Sequence, residues 1–273
     1  MEFKISDVGD EHTDFLRDES RREGRAERIC FPTSETEVVQ ALETARKNQW
    51  PVTIQGGRTG ITGGCVPDGG LILNLSRMNV IGEVDGGQLT VQPGVCLAAI
   101  RASIHGTGLF FPSDLTETTA SIGGMVANNA SGARSFKYGA VRNWIQALDV
   151  VLPNGDVVSV ERGVHKTDGL HFRLGRIEGE LPSLGMPEGV KSAAGYFVKP
   201  DMDLVDLFIG AEGTLGIVTE ITIKLLPEPR EMNGLTAFFE TEERALQFVR
   251  FLRDARVGTG PATDLDVGRG SDP

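Results

Sequence analysis

The stretch Pro51–Gly64, reading PVTIQGGRTGITGG, governs how the whole sequence is read. Val52 and Ile54 make a short apolar run, and five glycines follow within nine residues: Gly56, Gly57, Gly60, Gly63 and Gly64. Arg58, Thr59, Ile61 and Thr62 lie between them. Glycine reaches positive φ without steric cost and lets a ligand come close to the backbone. Consecutive amides in such a turn form a concave nest of N–H donors that suits a phosphate. The same composition also serves a tight strand-to-strand turn, so the loop alone leaves both readings open.

Upstream, Ser34 with Glu37 three residues on fits a capping box, and Val38, Leu42 and Ala45 recur at helical spacing. Together they predict an amphipathic helix over 35–48. Residues 1–30 are polar, and Glu11–Glu27, dense in both signs, reads as a solvated face or a mobile terminus. Downstream, Leu71–Leu75 is a predicted strand, and Val80–Val84 with Gln88–Gln92 a predicted hairpin around Asp85-Gly86-Gly87. Leu97–His105 reads as a helix closed by Gly106 and Gly108. A hydroxyl-rich run, Thr116–Ser121, precedes a short helix through Met125, Val126 and Ala127. Ala147–Leu152 and Val157–Val160 flank an Asn154-Gly155 hairpin turn. Residues 161–200 show no period and read as a long insertion or active-site loop. Ile217–Leu225 alternates as a strand. Leu226–Arg230 resembles a linker, Leu235–Phe239 a strand, and Thr241–Arg253 a helix with Thr241 as N-cap. Gly258–Pro273 reads as a disordered tail.

Composition narrows the function classes. The chain has 273 residues, of which 40% are hydrophobic and 24% charged, as in a globular protein with an ample core. A net charge of −11 disfavours nucleic acid and anionic membrane surfaces. Cys30, Cys65 and Cys96 are far apart with no CxxC, so neither a disulfide framework nor a zinc knuckle is suggested. Cys65 sits beside the glycine loop; a packing role is the plainer reading than a reactive one. Met1–Asp10 lacks the apolar core of a signal peptide, and no apolar run is long enough to span a membrane. A cytoplasmic, reducing location is the expectation.

Two nucleotide fingerprints can be tested directly. No GxGxxG occurs, which removes the dinucleotide-binding fingerprint, and no Gly-Lys pair occurs, which removes the Walker A loop. Yet three separated segments, 56–64, 121–132 and 210–216, combine glycine with Ser, Thr or Asn. One phosphate needs only one such loop. Three suggest a long ligand, with a diphosphate and a ring system, touched along its length.

The residues Gly56-Gly57-Arg58-Thr59-Gly60, Gly63-Gly64, Pro112-Ser113-Asp114, Ala120–Gly124, Asn128–Gly132, Lys137-Tyr138-Gly139 and Gly210–Ile217 then carry a family resemblance. In this order they resemble the PCMH-type FAD-binding domain of vanillyl-alcohol oxidase flavoproteins. The matching branch contains glycolate oxidase subunits, D-lactate dehydrogenases and D-2-hydroxyglutarate dehydrogenases. The resemblance covers roughly residues 30–255 and implies an α+β fold, with two α/β subdomains clasping an extended FAD. The implied division is a polar segment at 1–30, FAD-binding subdomains at 31–110 and 111–228, and the start of an incomplete cap domain with a tail at 229–273. By resemblance, Gly56, Gly57, Arg58, Thr59, Gly60 and Thr62 would wrap the pyrophosphate through backbone amides. Ser113, Asp114, Ser121, Gly123 and Gly124 would line the diphosphate and flavin side, the last two at a helix N-terminus whose dipole favours phosphate. Asn128, Ala130 and Ser131 would touch the flavin region, and Glu212, Gly213 and Ile217 the adenosine or ribityl end.

Some members carry FAD covalently on a histidine near the first glycine loop. Arg58 stands there instead, and the four histidines, His12, His105, His165 and His171, lie elsewhere, so noncovalent FAD is expected. The resemblance implies hydride transfer from the α-carbon of a 2-hydroxy acid to flavin N5, with no metal ligand cluster in this chain. It draws the base and the carboxylate-binding cation mainly from a cap domain, and residues 229–273 are too few for a cap of usual size. No catalytic residue is therefore assigned. Arg58, Lys137, Tyr138, His165 and Lys191 are the polar candidates, each more readily explained as a surface or packing residue. The alternative is a catalytically incomplete FAD-binding subunit or electron-transfer module needing a partner chain.

Overall fold

A computed structural model describes residues 3–187, 193, 195–231 and 234–257, with side chains described to residue 254. The chain divides after Glu228 into two compact units.

The larger unit begins with strands β1 (Ile5–Asp7) and β2 (Arg28–Cys30), helix α1 (Glu35–Lys47), and strands β3 (Val52–Gln55) and β4 (Leu71–Asn74). They form a four-stranded sheet in the order β1-β2-β4-β3. Strand β1 is antiparallel to β2, whereas β2, β4 and β3 run parallel. The parallel pairing requires a crossover, which α1 supplies between β2 and β3. The Ser34 Oγ accepts the Glu37 amide at 3.3 Å, and the Glu37 carboxylate accepts the Thr33 amide, so the start of α1 is fixed from both sides. Its buried stripe, Val38, Ala41 and Ala45, lies with Leu71, Leu73 and Cys30 in one small core. Strand β4 is central and wholly buried, which explains its unbroken apolar reading.

The second layer starts with strands β5 (Ile81–Asp85) and β6 (Gln88–Val91), helix α2 (Leu97–Ile104) and the short strand β7 (Leu109–Phe110). Helices α3 (Ile122–Ala127) and α4 (Ser135–Tyr138) follow, then strands β8 (Ile145–Val151), β9 (Val157–Glu161), β10 (His171–Leu174) and β11 (Ile177–Glu180). Helix α5 (Val205–Phe208) and strands β12 (Ile217–Lys224) and β13 (Leu226–Pro227) complete it. The main sheet is antiparallel in the order β5-β6-β12-β8-β9. The hairpin β5–β6 thus pairs with β12, a strand well over a hundred residues downstream. Its turn holds Gly86 and Gly87 at φ 54° and 77°, the paired left-handed conformation that matches strand twist. Strand β12 buries Ile217, Thr219, Ile221 and Ile223 and turns Val218, Glu220, Thr222 and Lys224 outward. The larger core includes Leu97, Ile100, Ile122, Met125, Val205 and Phe208 from the helices, each fully buried aliphatic or aromatic side chain contributing about 1.5–3 kcal/mol. Val151 and Ile217 reach the smaller core instead, so the two layers share residues.

One expectation is narrowed and two need correction. Of the two alternatives for Glu11–Glu27, the solvated face holds and the mobile terminus does not: most of these residues are exposed or half-buried, and β1 and β2 flank a 3₁₀ helix at Asp10–Leu16. The long irregular stretch 161–200 contains the hairpin β10–β11. Leu235–Phe239 is not a strand; it pairs with no strand among the described residues, and Leu235 and Phe238 are 82% and 91% exposed. The second unit holds helix α6 (Glu242–Val257), where the Thr241 Oγ accepts the Arg244 amide and Phe239 stacks near Phe248 at 5.3 Å. The expected disordered tail at 258–273 and Lys191 lie outside the described residues. No described helix is long and apolar enough to cross a membrane.

Candidate functional site

The three glycine segments converge within the larger unit. Ser121, 3% exposed, places its Oγ between two of them, accepting the Gly57 amide at 3.1 Å and the Gly124 amide at 3.3 Å. A Cβ on Gly56 would lie 2.1 Å from that oxygen, which is why only glycine fits there. A Cβ on Gly64 would lie 3.5 Å from the Glu212 carboxylate, so the first segment also meets the third. The second and third are stitched by backbone bonds from Gly210 to Val126 and from Glu212 to Ala127, both at 2.9 Å. A cleft of about 300 Å³ opens between all three, lined by Thr62, Gly64, Asn128, Asn129, Arg142 and Glu212 among others. A second cleft of about 370 Å³ shares Asn129 and Arg142 with it and adds Ser131, Ser135 and Phe197.

Each segment also holds one non-glycine residue in the left-handed region: Arg58 at φ 57°, Asn129 at 44° and Glu212 at 52°. That conformation costs roughly 1–2 kcal/mol per residue, and such outliers cluster at ligand clamps.

The backbone amides separate into two groups. Those at the start of α3 are spent internally: Ile122 donates to Val95, Gly123 to Pro93, and Gly124 to Ser121. The helix-end anion site expected at Gly123 and Gly124 therefore has no free first-turn amide in this structure. By contrast the amides of Arg58, Thr59, Gly60, Ile61 and Thr62 donate to no protein atom among the described residues. A Cβ on Gly60 would meet open space. The available amides are thus those of 58–62, and Gly57 anchors the start of this run through Ser121.

Side chains complete the picture. Arg58 lies over the Phe15 ring, 4.2 Å from its centroid. Its Nη1, the Ser113 Oγ and the Ser131 Oγ are buried atoms with no hydrogen-bond partner among the described residues. An unpaired buried polar atom costs about 1–3 kcal/mol, and these three sit in three of the expected segments. A run of free amides, with an unpaired guanidinium nitrogen and two unpaired hydroxyls in the expected segments, fits a ligand bearing a diphosphate and several carbonyl oxygens, as FAD does. Asp114 is committed otherwise, to Arg101 and to Arg134 at 2.9 Å, and its carbonyl lies so close to Gly132 that a Cβ there would be 1.6 Å away. Ala130 packs against the larger core, and Ile217 is 3% exposed within the smaller one. Gly213, at φ 75°, packs on Ile54 of β3.

Among the five polar candidates, His165 accepts the Glu161 amide through Nδ1 and Tyr138 packs between Phe110 and Trp144. Burial and the nearby Asp18 push the Cys65 thiol up to about 11, so it stays protonated at neutral pH. Burial and Glu37 push Cys30 up to about 12. Among the described residues, no group of three or more His, Cys, Asp or Glu is placed to hold a metal ion.

Sequence reading missed a buried ion network beside the clefts. Arg142 and Arg162 both pair with Asp206, and Arg162 also with Asp203. Burial lowers the Arg142 pKa against the opposing pull of Asp206. Burial acts the same way on Arg162, but Asp206 and Asp203 outweigh it and its pKa rises. The signal was one charge inside the apolar run Leu204–Ile209, which demands a buried partner. Also missed was the N-terminal segment as part of the loop's surroundings: the buried Gln55 amide donates to the Phe15 and Cys65 carbonyls at 2.7 and 2.8 Å.

Comparison with known proteins identifies the family. A family described as FAD binding domain matches residues 26–161. The chain is 36% identical over 248 residues to D-lactate dehydrogenase of Anaerostipes hadrus, covering 89% of this chain and 46% of that protein. It is 34% identical over 233 residues to glycolate oxidase subunit GlcD of Bacillus subtilis (strain 168), covering 84% and 43%. The fold superposes on 6-hydroxy-D-nicotine oxidase from Arthrobacter nicotinovorans with a TM-score of 0.62, covering 84% of this chain and 43% of that one. At 19% identity that likeness speaks for the fold alone. The family match and the relatives define an FAD-binding flavoprotein. The chain belongs to the vanillyl-alcohol oxidase type with a PCMH-type FAD-binding domain, in the branch of D-lactate dehydrogenases, glycolate oxidase subunits and D-2-hydroxyglutarate dehydrogenases. It spans less than half the length of either of the first two relatives.

Proposed function

We propose that this chain is the flavin-binding part of an oxidoreductase acting on a 2-hydroxy acid of the D-lactate, glycolate or 2-hydroxyglutarate type. FAD, once bound, would supply the redox chemistry, as the acceptor of a hydride from the substrate α-carbon. The observation that carries the reading is the run of five unspent amides at Arg58–Thr62, together with the orphaned buried atoms of Arg58, Ser113 and Ser131 in three of the expected segments. The names of the relatives supply the substrate class.

In this reading the amides of Arg58, Thr59, Gly60 and Thr62 bind the pyrophosphate, and Gly56 and Gly57 let Ser121 pull the loop into place. Arg58 offers Nη1 to a ligand oxygen, and stacking on Phe15 fixes its direction. The Ser113 and Ser131 hydroxyls donate to ligand acceptors, while Asp114, next to Ser113 in the chain, is held by Arg101 and Arg134. Gly123 and Gly124 keep α3 close to the cofactor, Asn128 and Ala130 shape the cleft after it, and Glu212 offers carboxylate oxygens to ribose or ribityl hydroxyls. Gly213 and Ile217 seat that third segment on the sheets. The clasping halves are taken as 31–110 and 111–228, with the hairpin 81–91 lent by the first to the sheet of the second, and residues 229–273 as the start of a cap. Arg58 replaces the linking histidine, so FAD is held noncovalently. Three free cysteines and the absence of a described membrane-spanning helix support a cytoplasmic setting.

The test is direct. Purified chain should be yellow or take up added FAD, and acid should release the flavin without proteolysis. An anaerobic panel of 2-hydroxy acids should then bleach the flavin absorbance. Failure to take up FAD overturns the cofactor reading. Bleaching only after a second chain is added assigns the role of an FAD subunit in a complex.

A further inference from the structure

Arg142 lines both clefts, yet no motif contains it. Its guanidinium lies 4.2 Å from the Phe197 centroid. Nη1 donates to the Asp206 carbonyl at 2.5 Å and to the Asp206 carboxylate at 3.1 Å, and Nη2 donates to the Ile209 carbonyl. Its backbone amide donates to Asn129 Oδ1 at 3.2 Å. Asn129 is the left-handed residue of the second glycine segment, and Ile209 immediately precedes the third. One residue therefore ties the two segments together. The fit is close: a Cβ on Gly210 would lie 3.3 Å from Asn129 Cβ and 3.5 Å from Arg142 Nη2.

Neutralising Asp206 does not by itself require Arg142. Arg162 already donates to both carboxylate oxygens, at 2.8 and 2.9 Å, and lines neither cleft. What Arg142 adds is the link from Ile209 to Asn129 and the wall between the clefts.

We propose that Arg142 is a positioning residue for the cofactor, holding the second and third glycine segments in the geometry that receives FAD. The inference rests on the FAD reading above. A preformed cleft binds more tightly than one that must be ordered on binding, so loss of the tie should appear in FAD affinity beyond any loss of stability.

The experiment titrates FAD into the apo chain, follows quenching of flavin fluorescence, and records thermal unfolding of each apo variant. Arg142→Lys keeps the charge, but one ammonium cannot span the acceptors that the guanidinium reaches. It should fold and raise the FAD Kd roughly tenfold, with Arg142→Met at least as much. Val160→Ala, on the buried face of β9, calibrates stability; it should lower the apo Tm while moving the Kd less than about twofold. A folded Arg142→Lys variant with wild-type Kd overturns the inference alone. So does a Kd shift in Val160→Ala as large as that in Arg142→Lys at equal loss of Tm, because affinity would then merely follow stability. A wild-type chain that binds no FAD overturns the cofactor reading and this inference with it.

Discussion

Ser121 sets one oxygen between the amides of Gly57 and Gly124, so a single side chain serves as helix cap and as clasp for the first glycine segment. Ser121→Ala removes the cap and leaves buried donors unpaired, a loss of about 2 kcal/mol. In a unit of this size that corresponds to roughly 4–8 °C in Tm, and an unchanged melting curve would remove Ser121 from this role. Gly57 is the complementary case. Its Cβ would lie 3.0 Å from the Thr119 carbonyl and 3.2 Å from the Ser121 amide, so Gly57→Val must push the loop outward at a cost of about 1–3 kcal/mol. The expected outcome is native far-UV circular dichroism with FAD affinity reduced at least tenfold, in the range that such strain allows. Full retention of flavin would make the loop a turn and nothing more. Which residues matter was legible where glycine, serine and asparagine cluster. Which amides remain free was not, because that depends on Val95, Pro93 and Ser121 consuming their neighbours.

Strand β12 shows what alternation can and cannot reveal. Its inward and outward faces follow the sequence period, as do those of β6 and β9, whereas the hairpin partners β5 and β8 do not alternate and were legible chiefly from the Gly-containing turns. The outward Glu220 stands opposite Asp149 in register. Burial, then Asp149 and Glu35, raise its pKa above the ordinary 4.5. A carboxyl raised in the folded state disfavours folding when ionised, and that cost disappears as pH falls through its folded pKa. Glu220→Gln should therefore raise Tm at pH 7, with the advantage fading toward pH 4. A constant difference across that range would refute the charge account. Other elements were illegible for physical reasons. The β10–β11 hairpin keeps most of its residues exposed on both faces, so it shows little alternation. Leu235–Phe239 alternates weakly but has no neighbouring strand among the described residues, and period alone cannot supply one. The Arg142–Asp206 pair spans 64 residues, beyond the reach of any local pattern.

Across the molecule, all three glycine segments, both clefts and both hydrophobic cores lie within the unit that ends at Glu228. A chain ending at residue 228 should consequently fold and bind FAD within about twofold of the full chain, since no group that shapes the clefts is removed. Loss of flavin uptake from a folded 1–228 chain would place part of the cofactor site beyond it. The strand order has a different bearing, on biosynthesis. Strand β12 is the centre of its sheet but the last of its five strands to leave the ribosome. Strands β6 and β8 must wait beside an empty lane until residue 224 emerges, on the order of ten seconds for β6 at ~5–20 residues per second. Through that interval the nascent chain presents two unpaired edges with apolar faces, the species that chaperones retain. Ribosome-bound chains halted before residue 217 should be protease-sensitive throughout 81–161, and chains released past 228 should be resistant.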